Sequence, residues 1–431
     1  MSCNPSYGPL LQLSALSELN VRHLTGAPSY SPFQRETRQP TNHAINEETI
    51  PMDSDGKLGR KNVIVTLPRS ADIIDRLWVC IDLPGLGKAA AGETPYYKDF
   101  AGYELIEKAG LYINNQCIET LSGEFLKVRH LLHDHTMEDE AVLNFPTQEA
   151  RECNSIQAQR AYVRLPFSFV EQGAVMAAIQ HQDLEVRMTF RNLKDVVVHA
   201  NNANVRERID TIGKSRAGQA QEANGLATGG SIDDPSASAV CMLAQCIYVD
   251  EAEPAFFQND YRRTALITQM QQPMHRSMGT SHPSQVELSL PFNNPCRDLV
   301  WMCRGLGGPG DDAPIMPDPV ANVQFRVNNN PRFFANDGKP VEGRFFRTVT
   351  LARGYPMREH HVDDEFLYAY NFDEQPTRAQ PGASMNMGKI DHCVFSVEFD
   401  TSYTHGDFYL FARSWNAVDY VDGKVHLLYA N

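Results

Sequence analysis

Imidazole is the commonest protein ligand for transition metals, and one short run of this chain has the spacing for it. His133-Asp134-His135 followed by Glu140 reads HxH(x)4E, which can set two imidazoles and a carboxylate around one ion. A centre of this pattern presents its ligands from a pair of strands and carries a downstream PxG(x)2H companion. Here the histidines end a helical stretch and no companion follows, so a solvated loop is the plain reading. Gly305, Gly307 and Gly310 imitate the GxGxxG turn that places a pyrophosphate at a helix N-terminus. The next residues, Asp311, Asp312, Ala313 and Pro314, would repel phosphate and break that helix. His360-His361 with Asp363, Asp364 and Glu365 gathers ligand types, yet neighbours on an extended chain point to opposite faces. No GxSxG nucleophile elbow occurs. No residue is assigned a catalytic, cofactor-binding or metal role, no cofactor is implied, and the chain is expected not to be an enzyme.

Composition narrows the class. The 431 residues are 42% hydrophobic and 21% charged, in the ordinary globular range. With 53 acidic and 39 basic side chains the formal net charge is −14, a field that repels a polyanion and disfavours direct nucleic-acid binding. No stretch approaches the roughly 20 apolar residues of a spanning helix, and the start MSCNPSYGPL lacks a basic segment before an apolar one. The chain is therefore expected to stay in the compartment where it is made. Nine cysteines, an odd number without a CxxC pair, suit buried free thiols in a reducing compartment. The one N-x-S/T triplet, Asn4-Pro5-Ser6, is blocked by its proline.

The elements that would position any site are strands. Short alternating runs, punctuated by 28 glycines and 26 prolines, predict strands at 61–68, 73–83, 103–119, 160–169, 183–191 and 240–250. A second set falls at 263–272, 285–292, 298–304, 321–328, 365–372, 392–399 and 408–415. Helical spacing at 124–133 and 175–179 predicts short helices in loops, and residues 200–238, poor in large apolar side chains, read as a long exposed loop.

The two sets resemble each other. Without a gap, Val63, Leu67, Pro68, Asp75, Trp78 and Cys80 align with Val286, Leu290, Pro291, Asp298, Trp301 and Cys303. Further on, Leu111 to Gln116 matches Phe325 to Asn330, each strand ending in Asn-Asn, which suits a tight reversal because Asn tolerates positive φ. A period above 200 residues is too long for a solenoid and implies duplication of a whole domain, each copy a sandwich or jelly roll with its tryptophan pointing inward.

The motifs then resemble a known family, the double jelly-roll major capsid proteins of nucleocytoplasmic large DNA viruses. Leu24-Thr25-Gly26-Ala27-Pro28, Phe33 and Thr41-Asn42-His43-Ala44-Ile45 resemble its opening. Tyr103 to Glu107, Ile113 to Gln116, Leu165-Pro166-Phe167 and Tyr248-Val249-Asp250 follow in the family's order. So do Leu290 to Asn293 with Leu299-Val300-Trp301, then Gln380-Pro381-Gly382 with Asn386 and Ile390-Asp391, and finally Ala412 to Asn431. Residues 417–425 (AVDYVDGKV) depart from the apolar, glycine-rich run usual there, and the missing sequons leave loop glycosylation without support.

The resemblance implies an all-β chain of two tandem eight-stranded jelly rolls with short helices in loops. It divides the chain into an N-terminal arm at 1–24, a first domain at 25–252 and a second at 253–431. It implies a late structural protein made and assembled in the host cytoplasm, forming homotrimeric, pseudo-hexagonal capsomers of an icosahedral virion shell. Partners would be copies of itself, minor capsid and penton proteins and, indirectly, an internal membrane, with no direct nucleic-acid binding; the amphipathic opening, Leu10, Leu11, Leu13, Leu16 and Leu19, reads as a packing segment rather than a membrane contact. Two alternatives stand beside it: a bicupin-like metalloenzyme using His133, His135 and Glu140, and a related scaffold that shapes membrane without remaining in the particle.

Overall fold

Burial along Leu184–Phe190 alternates residue by residue, with Leu184, Val186, Met188 and Phe190 inside. That is the period of a strand with one face on a core. The computed structural model describes residues 40–429 apart from 51, 53–61, 87–95, 134–137, 146, 199–239, 251, 260, 272, 278–284, 305–318, 334–338, 356–364, 379 and 401–406.

Sixteen strands build two sandwiches. The first comprises β1 (His43–Ile50), β2 (Val63–Thr66), β3 (Ile73–Leu83), β4 (Ile106–Ile113), β5 (Gln116–Ser122), β6 (Gln159–Arg164), β7 (Leu184–Phe190) and β8 (Val240–Val249). Their antiparallel sheets run β1-β8-β3-β6 and β2-β7-β4-β5. The second comprises β9 (Arg263–Met270), β10 (Gln285–Ser289), β11 (Pro295–Arg304), β12 (Val320–Val327), β13 (Asn330–Pro331), β14 (Glu365–Asn371), β15 (Cys393–Phe399) and β16 (Asp407–Val421). Its sheets run β9-β16-β11-β14 and β10-β15-β12-β13, the same order rank for rank. This is the jelly-roll order, present twice, as expected.

Short helices occupy the connections: α1 (Ala101–Leu105), α2 (Gly123–Leu132), α3 (Gln148–Ser155), α4 (Ser168–Glu171) and α5 (Ala252–Asn259), with a further helical run at residues 343–354. Ser122 caps α2 by accepting the Phe125 N–H, and Thr147 does the same for α3. Both Asn-Asn reversals form as expected, with positive φ at Asn114 and Asn115 and again at Asn328 and Asn329.

Several expectations change. The single strand expected at 103–119 is α1 and two strands of a hairpin, because an apolar run without clear period does not distinguish helix from strand. Residues 175–179 give a two-residue strand and a 3-10 turn, Met176–Ala178. β1 went unread because its sequence, HAINEETI, lies mostly exposed at a sheet edge and carries no burial period. The 1–24 arm, the Leu24–Phe33 motif and the 200–238 loop lie outside the described residues.

The tryptophan alignment is corrected. Trp301 points into the second core, its ring centroid 5.0 Å from Phe395 and 5.7 Å from Tyr368. Trp78 does not point into the first: its neighbours Leu77 and Val79 do, and it lies half-buried on the opposite face. Ala244 pairs with Leu77 as Ala412 pairs with Leu299, so the structural match of β3 to β11 is one residue off the ungapped alignment. A one-residue slip sends every side chain of a strand to the other face. The match holds earlier: the Leu67 N–H reaches the first residue of β7, Leu184, and the Leu290 N–H reaches the first residue of β15, Cys393.

Candidate functional site

Of the residues singled out for metal chemistry, His133 and Glu140 are the two whose side chains are described. His133 ends α2 and sets its ring edge-on to Tyr355, with centroids 6.1 Å apart, while Glu140 is exposed in a separate turn. His135, Gly305, Gly307, Gly310, His360, His361, Asp363 and Asp364 lie outside the described residues, as does the side chain of Glu365. Among the described residues no group of three or more His, Cys, Asp or Glu is placed to hold an ion.

One cluster imitates a proton relay and was not foreseen. The Tyr103 hydroxyl lies 3.2 Å from His130 Nδ1, His130 Nε2 lies 2.7 Å from Asp139, and the Asn144 amide donates to the same carboxylate at 2.8 Å. Tyr103 and His130 are buried, and burial holds the Tyr103 hydroxyl above its usual pKa. The cluster ties the 138–145 turn to α2.

The extensive functional surface is instead a set of sheet faces. In the second sandwich, Leu299, Trp301 and Cys303 of β11 face their own core, while Val300 and Met302 join the core of the first. Phe411 of β16 and Leu367 and Ala369 of β14 do the same, so the outer face of this sheet is packed against the first sandwich. Phe125 of α2 meets Phe411 at 5.7 Å between centroids, and Phe169 stacks on Tyr420 at 5.9 Å.

Polar pairs fix the register of the two faces. The Thr268 N–H donates to Ser168 Oγ at 3.0 Å, and the Val425 N–H to Gln182 Oε1 at 2.6 Å. The Gly423 carbonyl accepts the N–H groups of Gln180 and His181, so the segment that departs from the family's apolar run turns at Asp422-Gly423 and grips the first sandwich. Glu119 is buried beside this contact and accepts the N–H of Ser168 at 2.7 Å and of Phe169 at 2.6 Å, capping α4 from outside its own segment. Burial pushes its carboxyl up to about 8, against the opposing pull of the two N–H donors.

Deepest is a charged triad. Arg413 holds Asp298, and the Tyr355 hydroxyl donates to Asp298 at 2.5 Å while accepting from Arg413 at 2.9 Å. Burial alone would lower the Arg413 pKa, but Asp298 and Tyr355 outweigh it and hold it above the usual value. Sequence alone carries no signal for this triad, whose members lie 57 and 115 residues from Asp298.

The first sandwich presents the corresponding sheet differently. On the outer face of β1-β8-β3-β6, Trp78 and Leu243 are half-buried, and Tyr162 and Ile45 are exposed. The sheet face that is covered in the second sandwich thus has a counterpart in the first that leaves Tyr162 and Ile45 exposed.

Comparison with known proteins decides the family. The profile described as "Major capsid protein N-terminus" matches residues 31–250, and that described as "Large eukaryotic DNA virus major capsid protein" matches 257–420. The chain belongs to this capsid protein family. Its role is that of a structural capsid protein and not of an enzyme. The major capsid protein of Pyramimonas orientalis virus is 20% identical, over 98% of this chain and 100% of that one. That of Phaeocystis pouchetii virus is 23% identical over 68% of this chain, which spans 58% of that longer relative. Among solved structures, VP54 of PBCV-1 aligns with a TM-score of 0.70 at 17% identity, covering 93% of this capsid protein and 100% of that chain. The Faustovirus major capsid protein aligns at 0.62 and 9% identity, covering 96% of each chain. These likenesses confirm the double jelly roll.

Proposed function

We propose that three copies of this chain form a pseudo-hexagonal capsomer that tiles an icosahedral shell. The observation that carries the reading is the repeated sheet order: a chain of two like sandwiches presents two like sides, and three chains present six, which a near-hexagonal lattice requires. The domains divide at 252/253, inside α5, with an arm at 1–24.

The remaining partners follow from the family. Minor capsid and penton proteins are its further partners, the arm on the inner side of the shell is open to a minor capsid protein or to an internal membrane, and the acidic chain leaves the genome uncontacted. Expression is late, with assembly in the host cytoplasm.

Light scattering on the purified chain tests the trimer. The expected mass is about 145 kDa, three times the 48.3 kDa of one chain. A 48.3 kDa species persisting at high concentration overturns the reading. Micrographs of the same sample should show three-fold particles of hexagonal outline. Abundance in purified virions separates a shell subunit from a scaffold that leaves the particle.

A further inference from the structure

Two positions that the sequence comparison did not align are the same place in the two sandwiches. Gly123 opens α2 directly after β5, and a Cβ there would lie 2.2 Å from the carbonyl oxygen of Ile106, the first residue of β4. Gly343 opens the 343–354 helical run, and a Cβ there would lie 2.3 Å from the carbonyl oxygen of Val320, the first residue of β12. β4 and β12 hold the same rank in their sheets. Each glycine is followed two residues later by a phenylalanine, Phe125 in one sandwich and Phe345 in the other, and then by a core residue, Leu126 and Phe346.

The two phenylalanines differ in what covers them. Phe125 is 5% exposed, because the outer face of the second sandwich's sheet lies over it and brings Phe411 to 5.7 Å. Phe345 is 43% exposed, and Val349, four residues on, is 51% exposed.

The sheet face that covers Phe125 also has a counterpart. With Ala244 matched to Ala412 through their equivalent pairing to Leu77 and Leu299, Leu243 stands where Phe411 stands, and Trp78 where Val300 stands. Phe411 and Val300 are buried. Leu243 and Trp78 are half-buried, and Tyr162 on the same face is 41% exposed. Among the described residues there is thus one complete contact, helix start against sheet face, and the two unmatched halves of a second. The halves cannot meet within one chain if each sandwich is to keep its own neighbour, and they are complementary in character, an apolar knob and an aromatic-aliphatic platform of the kind that dominates interface energetics.

We propose that Phe345 and Val349 of one chain dock on the Leu243–Trp78–Tyr162 face of the next copy, repeating between chains the contact that Phe125 makes with Phe411 within one. The proposal rests on the trimer reading and names its surfaces. The contact is head-to-tail, and such contacts form a ring only when the rotation closes. Six like steps, alternately within and between chains, close on three chains.

Charge substitution tests it. Leu243→Arg and Phe345→Asp, each alone, should leave a folded chain by circular dichroism but reduce the mass from about 145 kDa to the 48.3 kDa of one chain. The double variant, where the new charges face each other, should regain the trimer. If both single variants remain trimeric, the surfaces are wrong while the trimer stands. If the wild type is a monomer, the trimer reading itself fails. Should a single variant not fold, Leu243→Cys with Phe345→Cys provides the second arm: oxidised glutathione should link chains into dimers and trimers resistant to detergent. A trimeric protein showing no interchain link overturns the pairing.

Discussion

Arg413 Nε lies 3.0 and 3.1 Å from the two carboxylate oxygens of Asp298, in the buried contact between the two sandwiches. Two charges removed from water are tolerated because each answers the other and Tyr355 completes the set. Removing one partner strands the other. Arg413→Met should therefore destabilise the fold by about 3–5 kcal/mol, whereas Asp298→Leu combined with Arg413→Met should cost markedly less. Denaturant unfolding of both variants decides it; equal losses would show that the pair is not coupled.

Glu119 makes stability depend on pH in a set direction. Burial raises its folded carboxyl to about 8, well above an ordinary glutamate, so the folded state holds a proton the unfolded chain has released. Stability from this group is fully present below about pH 4.5 and is lost as pH rises towards 8. Glu119→Gln keeps one acceptor for the α4 N–H groups but cannot titrate. Melting temperatures taken between pH 5 and 9 should fall less steeply for the variant, and parallel slopes would refute the assignment.

Gly123 and Gly343 have no room for a methyl group against the carbonyls of Ile106 and Val320. Both contacts are backbone, which cannot swing away as a side-chain end can. Gly123→Ala and Gly343→Ala should each destabilise by about 1–3 kcal/mol, seen as a lowered melting temperature. The surface change Glu140→Ala, in an exposed turn away from both glycines, serves as control and should lie within about 0.5 kcal/mol of wild type.

The thiols should separate by burial. Cys80 sits opposite Cys241 in the β3–β8 ladder, and burial first, with the neighbouring Cys241 second, pushes it up to about 12. Cys296 is buried and raised well above the ordinary thiol range, whereas Cys153 is exposed on α3. At pH 8 a maleimide should label Cys153 within minutes and leave Cys80 and Cys296 unmodified until the protein unfolds, as peptide mass mapping would show. Rapid native labelling of Cys296 would contradict the packing described.

Much was legible in the sequence because it is written locally. The period-two runs placed Ile73–Leu83 with its observed ends, and the Asn-Asn pairs placed both reversals, since positive φ is a property of the residue and its immediate neighbours. The order of motifs along the chain also points to the family. What the sequence could not decide was which way a strand faces. Trp78 and Trp301 occupy like places in the alignment and opposite faces in the molecule, because the register depends on one residue in the turn before the strand.

The pairing of Asp298 with Arg413, of Glu119 with α4, and of Phe125 with Phe411 joins residues far apart in the chain, and only the packing of one sandwich on the other brings them together. Sequence determined that there are two jelly rolls of one kind. Tertiary structure decided which of their equal faces is covered within the chain and which is left open, since burial is a property of what lies opposite a side chain and not of the side chain itself.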